Sequence, residues 1–278
     1  VTRLHLVISS VTIIIFLAGC ASQKKNLNQT ELQGDIHSKR GVAAFLKNDH
    51  RRAEDEFSLA YSFYASAENE RGAARSLLNL IRLYRLSGDM EMAVLFSDKA
   101  YRICETHQVM CDETCFEKAK IALLKGDLQE AKRWVNKGAT DKTGRSSARL
   151  LNLLATIDLR NGALKEAAES SMAALDIAKG DDDALEEANA LLLLGECMMS
   201  EKNWKAAAEY FNQALLVAKK AGNGKKVHEA LLGLADSAAA EGDQKSAEDF
   251  RKRGEEVAAN MEKIGNRAGS RASPPLSR

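Results

Sequence analysis

Proline is almost missing: the 278-residue chain holds two, Pro274 and Pro275, side by side near its end. Proline removes a backbone donor and breaks helix interiors, so a proline-free body of helix-forming composition argues for an all-α architecture. Aromatic residues make up only 5% of a chain that is 45% hydrophobic, so alanine and leucine must form the core. Net charge is missing too. The formal value is +1, and without Arg3 there are 39 basic and 39 acidic residues, which removes bulk electrostatic attraction as a reason to bind nucleic acid. No glycine-rich nucleotide loop, paired-histidine metalloprotease motif or serine elbow occurs. The five histidines, His5, His37, His50, His107 and His228, lie far apart in sequence. The sequence therefore offers no catalytic site, no metal site assignment and no cofactor motif, and the chain is read as a non-enzyme.

What is present is a repeat. Ala53, Ala93, Ala131, Ala167, Ala207 and Ala247 recur at intervals of 36 to 40 residues. Seven residues after each stands a second small residue: Ala60, Ala100, Gly138, Ala174, Ala214 or Gly254. Twelve residues before each stands Gly41, Ile81, Ala119, Ala155, Gly195 or Ala235, small in all but one. Small residues at these spacings let two helices approach, and a single such hairpin cannot bury its own apolar face, so the units must stack. The turns agree. Gly88-Asp89, Gly126-Asp127 and Gly242-Asp243 offer a glycine to end one helix in the left-handed conformation and an aspartate to cap the next, with Asn48-Asp49 and Asn161-Gly162 as variants. Glu130, three residues after Asp127, predicts a capping box.

This register resembles the tetratricopeptide repeat, with longer units like those of kinesin light chains. The resemblance implies a right-handed α-solenoid of about six helical hairpins over residues 34–265, with repeats near 34–69, 70–108, 112–142, 146–181, 184–223 and 225–262. It also implies a concave groove lined by the first helix of each repeat, chiefly its positions 2, 5, 6, 9 and 12. Carried onto this chain, those positions give Arg75, Leu78, Asn79, Arg82 and Arg85 in the second repeat, and Arg149, Asn152 and Thr156 in the fourth. In the fifth and sixth they give Glu196, Met199, Glu229 and Asp236, so charge changes sign along the groove. The arginine stripe predicts an acidic segment or a carboxylate terminus as partner. Reversing Arg75, Arg82 and Arg85 to glutamate is expected to abolish binding and leave stability nearly unchanged.

The N-terminal stretch has one basic residue, Arg3, an apolar run from Leu6 to Ala18 and a small-residue end, the pattern of an export signal. Leu17-Ala18-Gly19-Cys20 resembles the bacterial lipobox, which implies a signal over residues 1–19, cleavage before Cys20 and acylation of its thiol and amine. Ala21 and Ser22 resemble the outer-membrane sorting pattern of Gram-negative lipoproteins. Residues 20–33 then read as lipidated cysteine and polar tether, and residues 266–278 as a disordered tail. The expected location is the periplasmic face of the outer membrane, lipid-anchored.

Cys104, His107, Cys111 and Cys115 crowd the junction of the second and third repeats. In an oxidising compartment, Cys104 is expected to form a disulfide with Cys111 or Cys115, with unpaired core thiols and metal binding as the alternatives. Cys197 reads as a small core residue. The sequence as a whole points to a scaffold or adaptor for other envelope proteins, in pilus or secretion assembly, with peptidoglycan enzymes or in outer-membrane protein assembly. The alternative is a lipoprotein that senses a peptide or metal.

Overall fold

The computed structural model describes residues 29–139 and 147–270, with side chains to residue 263. The expectations for the signal, for Cys20, for residues 21–28 and for residues 271–278 lie outside the described residues. Twelve helices follow one another with no strand among the described residues. They pair as six hairpins: α1 (Gln29–Leu46) with α2 (His50–Ser66), α3 (Glu70–Ser87) with α4 (Met90–His107), α5 (Cys111–Leu124) with α6 (Leu128–Ala139), α7 (Ala148–Arg160) with α8 (Leu164–Gly180), α9 (Ala184–Ser200) with α10 (Trp204–Lys220), and α11 (Gly224–Glu241) with α12 (Gln244–Ser270).

The turn chemistry operates as the residues require. Gly88 and Gly242 end their helices at φ 85° and 90°, a conformation open to glycine at little cost. Asp89, Asp127 and Asp243 then accept hydrogen bonds from the main-chain N–H of Met92, Glu130 and Ser246 at 3.1, 2.9 and 3.1 Å. The capping box at Glu130 does not form. Its carboxylate instead accepts from the Trp134 indole at 2.6 Å and from Arg133 at 2.8 Å, because the helix places Trp134 one turn further along the same face.

All eighteen positions of the repeat register are buried. The six marker alanines, from Ala53 to Ala247, are each 0% exposed, because each sits where the second helix of a hairpin meets the first. Large residues fill the space between the small ones. A Cβ added to Gly195 would lie 2.5 Å from the Phe211 ring, and one added to Gly233 would lie 2.6 Å from it, so this ring is gripped between the first helices of the fifth and sixth repeats. Phe57 fills the corresponding place against Gly41 in the first repeat. The first helices of successive repeats neighbour one another, and each second helix touches only its own hairpin and the next. The result is an α-solenoid whose concave wall is built from α3, α5, α7, α9 and α11. The short α6 makes the sparsest inter-repeat seam, against α7.

Two boundaries differ from expectation. α1 begins at Gln29, inside the stretch read as tether, because that first turn has work in the fold: Gly34 packs on the Tyr64 ring, Asp35 accepts from the Tyr64 hydroxyl, and Glu31 accepts from Asn69 at 2.9 Å. α12 continues to Ser270, into the stretch read as a disordered tail, since nothing in it breaks a helix before Pro274.

Candidate functional site: the concave groove

The register places the groove residues by position. In the fourth and fifth repeats all five groove positions of the first helix, and in the third repeat four of the five, line one continuous cleft of 1140 Å³ that ends at Asp236 in the sixth. In the second repeat only Arg82 and Arg85 reach it. Leu78 is 1% exposed and packs in the core with Phe57 and Ile121, so its assignment to the partner-binding surface is corrected. Arg75, exposed, and Asn79, half-buried, lie beyond the cleft's end; Arg75 lies close enough to Tyr64 to favour its ionised form slightly.

The arginine stripe has its own acid. Glu117, on α5, is 1% exposed and accepts from Arg82 Nε at 2.8 Å and from Arg85 Nε at 3.1 Å. This corrects the expectation that the stripe waits for an external carboxylate. It also corrects the expected neutrality of the triple reversal, since the new glutamates at 82 and 85 would face a carboxylate buried with no cation. The signal was present in the sequence: the same register applied to the third repeat gives Glu113, Phe116, Glu117, Lys120 and Leu123, and all but Glu113 line the cleft.

The cations without an ion-pair partner stand next to that triad. Lys120 and Arg149 lie 5.3 and 4.3 Å from the centroid of the Phe116 ring, which presents its electron-rich face to both. Burial and the nearby Arg85 push the Lys120 ammonium below its ordinary pKa, so this site disfavours its own positive charge until an anion arrives. Arg160 adds a third cation further along the wall.

At the middle of the floor is Asn152, 5% exposed. Its amide N–H groups donate to the Glu186 main-chain oxygen at 3.0 Å and the Glu186 carboxylate at 2.9 Å. Both partners are acceptors, which fixes the amide orientation and leaves its carbonyl oxygen as the acceptor with no partner among the described residues. Beyond it the wall turns acidic. Glu196 keeps access to solvent, but partial desolvation by the surrounding cleft, and then Glu229, push its carboxyl above the usual glutamate pKa. Glu229 pairs with Lys226 at 2.6 Å and Asp236 with Arg251 at 3.8 Å.

Cys104 and Cys111 are joined in a disulfide with Cα atoms 5.0 Å apart, closing the turn between α4 and α5. Cys115 and Cys197 are free and buried, and burial pushes each thiol up to about 11. His107 faces Glu70 at 3.7 Å. The disulfide occupies two of the four side chains that a metal would need, and among the described residues no three metal-ligating side chains converge. No helix among them is long and apolar enough to cross a membrane.

Hairpins stacked in this register define a tetratricopeptide-type α-solenoid. Solved structures agree on the fold. A Rap conjugation gene regulator of plasmid pLS20, in complex with the Phr* peptide, is similar with a TM-score of 0.65 and 17% identity over 87% of this chain and 66% of that one. PilF of Pseudomonas aeruginosa is similar with a TM-score of 0.59 and 13% identity, over 80% and 90% of the two chains. The nearly identical TPR-like repeats of a putative kinesin light chain from Podosopora anserina give 0.53 and 17%, over 68% and 96%. No protein-family model matches the chain, and no curated protein matches it in sequence.

Proposed function

We propose that this protein is a non-enzymatic scaffold that holds an extended segment of a partner protein in its concave groove, anchored through acyl chains on Cys20 to the periplasmic face of the outer membrane. The observation that carries the reading is the continuous cleft along the first helices, with the cations Lys120 and Arg149 towards one end and Glu196 towards the other. An acidic side chain or terminal carboxylate of the same segment would sit against Lys120 and Arg149, in keeping with the acidic partner expected from the sequence. The Rap regulator of similar fold, solved in complex with the Phr* peptide, supports a peptide segment as the kind of ligand. The lipobox-like Leu17-Ala18-Gly19-Cys20 supports the anchor, and an envelope assembly process is its natural setting.

The test is purification of the protein from cross-linked membranes with Cys20 intact. A partner recovered with wild type should be lost from a Lys120→Glu/Arg149→Glu variant and kept by Lys165→Glu on α8, outside the groove. Equal recovery with all three would place the docking surface elsewhere. Cys20→Ser is expected to release the protein from the membrane fraction, and retention there as firm as wild type would refute the anchor.

A further inference from the structure

The two ends of a solenoid each expose a helix face that no further repeat covers, and soluble solenoids close both with polar residues. α12 follows that rule. Its exposed positions include Lys245, Glu248, Asp249, Lys252, Glu255 and Glu256. α1 does not follow it. Leu32, Lys39, Ala43 and Leu46 are exposed and recur every three to seven residues, with half-buried Ile36 between them, which sets all five on one stripe of the helix. Leu32 is 47% and Leu46 73% exposed, and Val42 borders the stripe at 43%. α1 packs on α2 and touches α3, and no other described helix reaches it.

The charges around this face are sorted. Five cations on the first hairpin, Lys39, Arg40, Lys47, Arg51 and Arg52, are exposed. The acids of the same hairpin are mostly engaged inward: Asp35 on Tyr64, Glu54 on the Tyr84 hydroxyl at 2.6 Å, Glu56 on His37 at 2.7 Å, and Glu31 on Asn69. Only Asp49 and Asp55 remain exposed, and Asp49 caps α2. The outer surface of the first repeat is therefore apolar and basic together, although the whole chain is nearly neutral.

We propose that this face of α1 lies on an anionic phospholipid surface, with Leu32, Val42 and Leu46 in the headgroup boundary and Lys39, Arg40 and Lys47 against lipid phosphates. Apolar residues flanked by lysine and arginine on an exposed helix are what such an interface binds. Placement in the chain points the same way. Eight residues, 21–28, separate Cys20 from α1 and reach at most roughly 28 Å, so the face that would meet a membrane next to Cys20 is this one. A solenoid lying on α1 would stand with its later repeats and the cleft away from the lipid, and its orientation would be set by the hairpin rather than by the acyl chains. The proposal rests on the anchor reading only for which membrane is met, and it is tested without the anchor.

The experiment is co-sedimentation of the unacylated chain from Ala21 onward, which keeps all twelve helices. The vesicles are phosphatidylethanolamine with phosphatidylglycerol, against pure phosphatidylcholine. Binding is expected to the anionic vesicles only, to weaken with salt, and to fall about tenfold or more in Lys39→Glu/Lys47→Glu and in Leu32→Ser/Leu46→Ser. All four positions are exposed, so circular dichroism should show the fold intact in both variants. Absence of binding to anionic vesicles, or binding equal in wild type and both variants, would overturn the proposal. So would a dimer of the wild-type chain that the same substitutions dissolve, which would make a second copy the occupant. Membrane release of Cys20→Ser in cells reports on the anchor alone, so failure of one reading leaves the other standing.

Discussion

The two ends of the concave groove carry charge of opposite sign, and they handle it differently. At the basic end, Arg82 and Arg85 converge on a carboxylate that is almost wholly buried, and the resulting triad joins the second repeat to the third. At the acidic end, Glu196 has no ion pair among the described residues, and Glu229 and Asp236 hold partners near the surface. A stripe of like charge in a sequence can therefore be a fixed structural joint or an open binding wall. What separates them is whether a counter-charge arrives from the neighbouring repeat. Beside the closed joint, the charges still open to a ligand are Lys120 and Arg149, one repeat further along than the arginine spacing alone suggests.

Breaking the closed end should have the largest effect. Glu117→Ala leaves two guanidinium groups with no acid between them; Arg85 is nearly buried but Arg82 is 39% exposed, so the cost falls below that of breaking a fully buried pair, about 3 to 5 kcal/mol. A large fall in melting temperature is expected, and Arg85→Glu should also destabilise; a Glu117→Ala protein that melts with wild type would mean the basic end is as open as the acidic one.

Next is the packing beneath the acidic wall. Gly195→Leu must displace the Phe211 ring, at a cost of about 1 to 3 kcal/mol or more, and Ala207→Leu should cost a similar amount. Lys205→Leu, on an exposed position, should leave the melting temperature near wild type. If all three variants melted together, the shared register would be wrong.

The open cations should affect binding more than stability. Lys120→Glu is expected to weaken an acidic partner about tenfold or more. Because Lys120 is held below its ordinary pKa by burial and then by Arg85, an anion bound against it should move that pKa back up. A partner that binds the Lys120→Glu variant as tightly as wild type would remove Lys120 from the site.

The smallest effect belongs to Glu196. Its carboxyl is raised in the folded chain, so the folded state holds more protons than the unfolded one between the ordinary and the raised value. Stability therefore declines as pH rises through that window and is constant above it. Glu196→Gln should remove the decline and stabilise the chain at neutral pH by a few tenths of a kcal/mol at most, since the side chain is exposed to solvent screening. Denaturant melts across that pH range would show it. A variant with the same pH profile as wild type would mean that Glu196 is not desolvated.

The sequence by itself determined the hairpins and their stacking. The spacing of Ala53, Ala93, Ala131, Ala167, Ala207 and Ala247 is a steric code: a helix crossing needs a small residue at a fixed place, and that need is local and periodic. The same is true of Gly88-Asp89 and its relatives, where conformation and cap lie within a few residues of each other. Even the groove positions followed from the register, as the fourth and fifth repeats show residue by residue. Only the tertiary structure decided which charges meet. Glu117 is more than thirty residues from Arg82 and Arg85, and nothing local distinguishes a glutamate that will be buried between two arginines from one left in water. The choice of Cys111 over Cys115 as partner of Cys104, the burial of Leu78, and the bare stripe on α1 belong to the same class. Each depends on what the neighbouring repeat covers, or on no described helix lying beyond it to cover it.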